Sequence, residues 1–142
     1  NPIPLRNLIE KNVDENFYLT TNLEKFKYLK GAKKIERTAK NGFKYTFSEG
    51  PVAFPDKLDL PARTMLTSES TVNRSTHVIE DPETKKLRLI TPLEAERIQG
   101  FDDNWTNTGM PQKFRYFCMG NALVVPLITR MGKELTKIFE AE

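Results

Sequence analysis

Two short helices are predicted in the first part of the chain, where apolar residues recur at helical spacing. The first is predicted over residues 5–11. The second is predicted to begin at residue 21 or 22, either of which can cap a helix, and to end at Gly31. The apolar residues concerned are Leu5, Leu8 and Ile9 in the first helix and Leu23, Phe26 and Leu29 in the second. We therefore expect residues 1–30 to form an N-terminal helical segment.

After Gly31 the helical period gives way to alternation of apolar and polar residues. The alternation covers residues 34–39 and 42–47, and the connection contains the Asn41–Gly42 pair that tight hairpin turns favour. A β-hairpin is therefore predicted, with Phe43, Tyr45 and Phe47 on one face. Further strands are predicted over residues 61–67, 76–80 and 86–90, so that residues 31–87 form a β-rich region.

A short, well-delimited helix is predicted over residues 92–99. Thr91 is an N-cap, Pro92 takes the first helical position, and Glu94 can reach back to the Thr91 amide in a capping box. Gly100 stands where a helix ends in a left-handed residue. The buried contacts are expected from Leu93 and Ile98. A helix of about two turns is not stable alone, so it must pack against other elements.

The last helix is predicted to begin at Asn121, as its cap, and to continue to about Phe139. Pro126 lies close enough to its start to be tolerated. One face of this helix is apolar throughout, through Leu123, Leu127, Ile128, Met131, Leu135 and Ile138. Between the two helices, residues 102–111 are predicted to form an irregular loop with Trp105 as an aromatic anchor.

Composition places the chain among soluble globular proteins with one modest core. Its 142 residues are 38% hydrophobic and 29% charged, and no run approaches the ~20 apolar residues of a membrane span. No secretory leader is visible, and the single cysteine, Cys118, excludes an internal disulfide. Because the chain starts with Asn1 rather than methionine, we expect a fragment or a processed chain.

Positive charge is concentrated in one segment, although the net charge is only +3. Residues 25–44 contain eight basic residues against one acidic residue, Glu36. A phosphate backbone needs such a stripe, because each neutralised phosphate releases counterions. Lys33, Lys34 and Arg37 are therefore candidate DNA contacts. A solvated lysine-rich face is the alternative interpretation of the same pattern.

The loop over residues 68–75 is the best candidate for contact with DNA bases, since hydrogen-bonding side chains make up almost all of it. Arg74 has the forked geometry that suits a guanine edge, and Asn73 can pair with adenine. The hydroxyl of Ser75 can serve bases or phosphates. An ordinary polar turn is the alternative here.

Two blocks of residues stand at defined spacings in the second half of the chain. The first runs from Arg88 to Phe101, and the second runs from Gln112 to Pro126. Their residues are Arg88, Thr91, Pro92, Glu94, Arg97, Gln99, Gly100, Phe101, Gln112, Arg115, Tyr116, Gly120, Asn121, Ala122 and Pro126. In this order they resemble the last two conserved blocks of the DNA (cytosine-5) methyltransferases, most densely over residues 88–131 and more loosely before them.

This resemblance implies that the preceding residues are the target recognition region. In it, Arg63-Thr64-Met65 resembles the threonine-hydrophobic pair that lies just before the recognition loop, so Arg63 and Thr64 are candidate DNA contacts. It also implies that Gly120, Asn121 and Ala122 line the pocket of the methyl donor, S-adenosylmethionine. The family's Pro-Cys dipeptide, Glu-Asn-Val triplet and glycine-rich turn are absent from this sequence. Cys118 follows Phe117 rather than proline, so we expect it to be a packing residue.

Other enzyme classes lack support. His77 is the only histidine, and with no second histidine or cysteine nearby it is expected to be a strand residue bonded to the backbone rather than a zinc ligand. No motif supports a hydrolase triad.

Three arginines have expected structural or binding roles. Arg88 and Arg97 are expected to brace the recognition region against the helix. Arg115 is expected to fix either the neighbouring turn, Gly120–Ala122, or a phosphate.

The predicted fold class is α+β: a small target-recognition domain of β-hairpins and short strands with flanking helices. The resemblance adds a C-terminal helix that docks on a missing α/β methyltransferase domain, so residues 88–142 return the chain to that domain. The expected partners are double-stranded DNA and the catalytic domain, in a bacterial or phage cytoplasm and a restriction-modification system. This chain alone is expected to be inactive. The alternative is a stand-alone DNA-binding module.

Overall fold

The structure is a computed structural model that describes residues 2–141. It confirms the predicted α+β class, since helices lie before and after two separate pairs of antiparallel strands. No helix among residues 2–141 is both long enough and apolar enough to cross a membrane. The elements are α1 (Leu23–Lys30), β1 (Lys33–Thr38), β2 (Lys44–Glu49), β3 (Val78–Glu80), β4 (Leu87–Leu89), α2 (Pro92–Gln99), α3 (Gln112–Asn121) and α4 (Val125–Glu140).

The predicted helix over residues 5–11 is wrong, because only a single 3-10 turn, Leu5–Asn7, forms there. The Leu5 and Arg6 amides donate to the carbonyls of Leu60 and Leu58, both at 2.9 Å. These bonds satisfy the first amides of the turn, which would have no partner within a helix, and fix the turn to a distant segment. A second 3-10 turn covers Glu15–Phe17, with the Asp14 side chain accepting from the Asn16 amide at 2.8 Å.

The predicted hairpin is confirmed, and its strands pair in the register Lys33↔Glu49 to Thr38↔Lys44. The connection is a three-residue loop over residues 40–42. Gly42 lies at φ +82°, its amide donates to the Ala39 carbonyl at 2.9 Å, and the Ala39 amide donates to the Phe43 carbonyl at 2.8 Å. This is the loop type in which a left-handed glycine follows an ordinary turn.

The strand predicted over residues 61–67 is wrong. That segment runs without strand pairing and packs against α3, where the backbone of Leu66 and Thr67 lies directly against Gly120. The other two strands form a short pair, β3 with β4, in the register Val78↔Leu89 to Glu80↔Leu87. On the outer side of β3, Asp56 takes the place of a third strand: its amide donates to the Val78 carbonyl at 2.7 Å.

Helix α2 begins and ends as predicted, with the complete Thr91–Glu94 capping box and Gly100 at φ +81°. Its buried face is different from the predicted one. Leu93 and Ile98 are half-buried, whereas two glutamates, an alanine and a glutamine are buried: Glu94, Ala95, Glu96 and Gln99. Buried charges of this kind require partners, which lie in the neighbouring elements.

The main core joins α2 and α3 to the segments on either side of them. It consists of Leu5, Met65, Ile79, Ile90, Ala95, Tyr116 and Met119, with Cys118 half-buried against it. The buried Tyr116 hydroxyl donates to the Ile90 carbonyl at 2.6 Å, and burial raises the pKa of this phenol above its ordinary value. Cys118 is thus a packing residue, as predicted.

The prediction that Asn121 caps the last helix is wrong. Asn121 instead ends α3, a helix that the sequence pattern did not predict, and its side-chain amide donates to the Phe117 carbonyl at 3.0 Å. Helix α4 begins at Val125, with Pro126 in its first turn, and buries none of its residues. The Pro126 ring lies against Gly100, so α4 leaves the body beside the end of α2.

Candidate nucleic-acid interface

The basic stripe is only partly available to a ligand. Lys30 is buried, and its ammonium donates to the Thr76 carbonyl at 2.6 Å and to the Arg74 carbonyl at 3.2 Å. Burial, together with repulsion from Arg63, lowers the pKa of Lys30 to about 8. The Lys33 ammonium also bonds within the protein, because it donates to the Leu29 carbonyl at 3.0 Å. The exposed members of the stripe are Lys25, Lys27, Lys34, Arg37, Lys40 and Lys44.

The hairpin carries four of these exposed cations away from the body. Lys34 and Lys44 lie on its wholly polar face, and Arg37 lies on the other face with its guanidinium 3.9 Å from the centre of the Phe47 ring. Lys40 lies in the tip loop. The major groove of B-DNA admits a two-stranded β-ribbon.

The polar loop over residues 68–75 is built by its own side chains. The Asn73 side chain accepts from the amides of Ser75 (2.7 Å) and Thr76 (3.1 Å) and donates to the Ser68 carbonyl at 2.8 Å. Thr76 donates its hydroxyl to the Thr71 carbonyl at 2.6 Å. This internal bonding fixes the backbone and therefore fixes which side chains the loop presents.

Two arginines predicted to contact DNA are bonded within the protein. Arg74 donates to the carbonyls of Leu29 (3.2 Å) and Gly50 (2.5 Å), which ties the loop to α1 and to the base of the hairpin. Arg63 forms a forked pair with Asp56, at 2.5 and 3.0 Å, and donates to the Ser75 carbonyl at 3.1 Å. DNA contact by either residue stays a prediction; their present bonds position the loop.

Beneath the loop lies a pair that the sequence did not indicate. Glu69 and His77 are both buried, with Glu69 Oε1 accepting from the His77 amide at 2.5 Å and lying 3.1 Å from His77 Nδ1. The partner of the imidazole is thus a carboxylate and not the backbone group that we predicted. The role of Glu69 becomes visible only from its buried position in the structure. No local pattern in the sequence indicates it.

The Gly120–Ala122 turn lies at the edge of an apolar groove of about 610 Å³. Arg63 and Thr64 line the same groove, so the structure brings these four candidate residues together; Asn121 is not among the lining residues. Gly120 lies so close to the Thr67 backbone that a side chain would overlap it. Its structural role is therefore close packing.

A buried ionic network connects the strand pair to α2. Arg88 is completely buried and donates to Asp81 at 2.9 Å and to both oxygens of Glu94, at 2.7 and 2.9 Å. Glu94 also accepts from the amides of Thr91 and Glu10, each at 2.7 Å. Arg88 is thus the brace that we predicted, and one carboxylate serves both the capping box and the brace.

A second buried carboxylate holds the loop that follows α2. Glu96 accepts from Arg115 at 2.8 Å and from the Thr106 amide at 3.0 Å. Burial opposes its ionisation, but these bonds outweigh burial and lower the pKa of Glu96. Arg115 thus fixes residues 102–111 onto α2. Neither of the two predicted alternatives, the neighbouring turn or a phosphate, included this role.

Acid should weaken the network through Asp81. Burial opposes ionisation of this carboxyl, but bonds from the Thr84 amide and from Arg88 hold its pKa at about 2, below its ordinary 3.8. Because the folded pKa is depressed, the stabilisation is complete above pH 4 and is lost as the pH falls through 2. In urea unfolding, Asp81→Asn should lower the free energy of unfolding by ~2 kcal/mol at pH 7 and by much less near pH 2. A pH-independent difference would contradict this assignment.

The apolar face of α4 is exposed along its length. Leu135 is 64% exposed and Phe139 is 80% exposed. Leu127, Ile128, Met131 and Ile138 extend the same face, and Leu123 and Val124 continue it toward the groove. Soluble proteins rarely leave such a contiguous patch in water, so it indicates an interface.

Comparison with known proteins places these features in a family. The model of the family described as C-5 cytosine-specific DNA methylase matches residues 4–137. The chain is 58% identical over 137 residues to the type II methyltransferase M.Sau3AI of Staphylococcus aureus, covering 96% of this chain and 32% of that protein. The chain therefore spans about a third of the length of this relative.

Two solved structures share the fold. The Entamoeba histolytica methyltransferase EhMeth matches with a TM-score of 0.63 and 20% identity, covering 98% of this chain and 42% of that one. The S. pombe Dnmt2 methyltransferase matches with a TM-score of 0.67 and 14% identity, covering 96% of this chain and 41% of that one. The likeness therefore extends over nearly all of the present chain.

Proposed function

Because the chain belongs to the C-5 cytosine-specific DNA methylase family, we propose that it is the DNA-recognition part of a DNA (cytosine-5) methyltransferase. The complete protein transfers a methyl group from S-adenosylmethionine to carbon 5 of cytosine in a specific DNA sequence. These 142 residues contain no Pro-Cys dipeptide. The catalytic cysteine therefore belongs to another part of the complete protein. The observation that carries the proposal is the exposed basic hairpin next to a polar loop that is fixed by its own hydrogen bonds.

The parts have different roles in this proposal. Residues 31–87 contact double-stranded DNA, with Lys34 and Arg37 on the phosphates and the polar loop near the bases. Residues 88–142 join the recognition region to the catalytic domain through the buried Arg88 brace and through α4. Residues 1–30 pack against this joint, since the Glu10 amide donates to Glu94.

S-adenosylmethionine supplies the methyl group when bound, and most of its site lies in the missing domain. Gly120 and Ala122 fit one edge of such a site, whereas Asn121 does not line the groove. Gly120 and Ala122 face an open groove whose other walls are largely apolar, and Gly120 admits no side chain. This edge can shape the pocket, while the groups that recognise the donor's charges belong elsewhere.

The exposed face of α4 favours a subunit over a stand-alone binding module. An independent module would leave this continuous apolar stripe in water, whereas a methyltransferase would cover it with the catalytic domain. The setting that we propose is the cytoplasm of a bacterium or phage with a restriction-modification system, supported by the similarity to a Staphylococcus aureus type II methyltransferase.

Reconstitution from two chains tests the proposal. This chain alone should transfer no methyl group; mixed with the catalytic part of the enzyme, it should direct labelled methyl groups from S-adenosylmethionine into DNA. Leu135→Glu places a charge in the apolar face of α4 and should lower the reconstituted activity at least about tenfold, since an unpaired charge in an interface costs several kcal/mol.

Lys133→Glu is the matched control, because Lys133 is an exposed residue of α4 that is not part of the apolar face. It should leave reconstitution unchanged. Equal losses from the two variants would contradict docking through the apolar face. Absence of methyl transfer from every pairing with a catalytic part would contradict the enzyme assignment itself.

A further inference from the structure

The tip of the β1–β2 hairpin presents an aromatic side chain to solvent. Phe43 is the first residue after the tip loop and is 65% exposed. Its backbone is fixed on both sides: its carbonyl accepts from the Ala39 amide at 2.8 Å, and its amide donates to the Asn41 side chain at 3.2 Å. The ring is therefore exposed on a well-defined backbone.

The hairpin register shows that Phe43 does not belong to a buried apolar face of the hairpin. Phe43 lies on the same face as Tyr45 and Phe47, because alternate residues of a strand share a face. The Phe47 ring is covered by the Arg37 guanidinium at 3.9 Å and is half-buried. Exposure of the aromatic rings thus increases from the base of the hairpin toward its tip.

The hairpin that carries the ring is rich in cations on both faces: Arg37 lies on the face of the ring, across from Tyr45, and Lys44 lies on the opposite face. Lys40 lies in the tip loop, Lys44 follows Phe43 directly, and Lys34 shares the polar face with Lys44. The only acidic residue between positions 34 and 44 is Glu36. An apolar ring next to cations is complementary to nucleic acid, in which stacked apolar bases lie between rows of phosphates and can admit an apolar wedge between base steps.

We infer that Phe43 inserts against the bases of double-stranded DNA while Lys40 and Lys44 contact the phosphates on either side. The inference rests on the proposed function, and it adds an apolar contact with the bases to the charged contacts of the hairpin. Insertion into a duplex must partly unstack one base step, which costs a few kcal/mol. Because every base offers a π-face and none is read by its hydrogen-bonding edge, the contact contributes to affinity for many sequences. Base choice then belongs to the polar loop.

Salt dependence separates the two kinds of contact. In the full-length protein, Phe43→Ala should weaken binding to a fluorescently labelled random-sequence duplex by about 5- to 100-fold at every salt concentration, because stacking releases no counterions. Lys44→Ala should reduce the slope of log affinity against log salt by about 1. Phe43→Trp keeps an aromatic face and should retain wild-type binding.

Phe114→Ala is the matched control, since this phenylalanine is also exposed but lies on α3. The inference fails if Phe43→Ala binds as tightly as wild type, or if Phe114→Ala weakens binding equally. When Lys44→Ala alone changes binding, the insertion is refuted and the proposed function stands. When the wild-type protein does not bind the duplex, both are refuted.

Discussion

Arg88→Met should lower the free energy of unfolding by about 3–5 kcal/mol, which is the cost of leaving a buried carboxylate without its partner. The guanidinium of Arg88 is completely buried and bonds to Asp81 and to both oxygens of Glu94. Burial opposes its charge, but these carboxylates outweigh burial and raise the pKa of Arg88 above its ordinary value. Methionine fills similar space and removes every one of these bonds.

The expected result is measured by urea unfolding at pH 7, with Arg97→Ala as the control. Arg97 also pairs with an aspartate, Asp103, at 2.6 Å, but the Arg97 side chain is 30% exposed and the Asp103 side chain is 49% exposed. Its further bond, to the Leu8 carbonyl, is long at 3.2 Å. Exposed ion pairs contribute at most about 1 kcal/mol. If the two variants cost the same, the Arg88 network does not hold β4 against α2. Arg88→Lys should give an intermediate cost, since a single ammonium cannot reach both carboxylates in the same forked geometry.

The elements that could be predicted from the sequence are those with local determinants. Both ends of helix α2 can be predicted from the sequence, because a cap, a proline and a left-handed glycine specify them within the segment itself. The hairpin was predicted for a similar reason, since alternation and an Asn-Gly turn lie within one continuous stretch. In both places the local preferences agree with the final fold.

The failures arise where distant residues decide the outcome. The amphipathic pattern of α2 favoured Leu93 and Ile98 as buried residues, yet Glu94 and Glu96 are buried because Arg88 and Arg115 reach them from other elements. The strand predicted over residues 61–67 has a strand-like composition but packs on a helix. Tertiary contacts override propensity in each case.

The same distinction applies to the candidate site. Charge density identified the basic hairpin, since charge is visible in the sequence. The internal roles of Lys30, Lys33 and Arg74 were not visible, because each donates to backbone carbonyls, which every sequence contains. Family resemblance identified Gly120 without explaining it. The explanation is a close contact between backbones that are distant in sequence.

Gly120→Ala should lower the free energy of unfolding by ~3 kcal/mol or more, through overlap rather than through loss of a ligand. A Cβ at this position would lie 2.5 Å from the Thr67 Cα and would overlap the neighbouring backbone atoms of Leu66 and Thr67 as well. Backbone cannot move aside as a flexible side chain can. Helix α3 would have to shift away from this segment, which would strain the bond from Gln99 to the Met119 carbonyl, now 2.7 Å.

Gly132→Ala provides the matched control, because a Cβ at this position of α4 meets nothing within 4 Å. Alanine there should stabilise the helix by up to ~1 kcal/mol, since glycine is the poorer helix former. Both variants are measured by urea unfolding without S-adenosylmethionine, so that any role in binding the methyl donor cannot affect the result. If Gly120→Ala unfolds like wild type and only weakens binding of the donor to the complete enzyme, close packing is not the reason for glycine at this position. A loss of stability in the absence of the donor would show that the glycine is required by the close packing of α3 against residues 61–67.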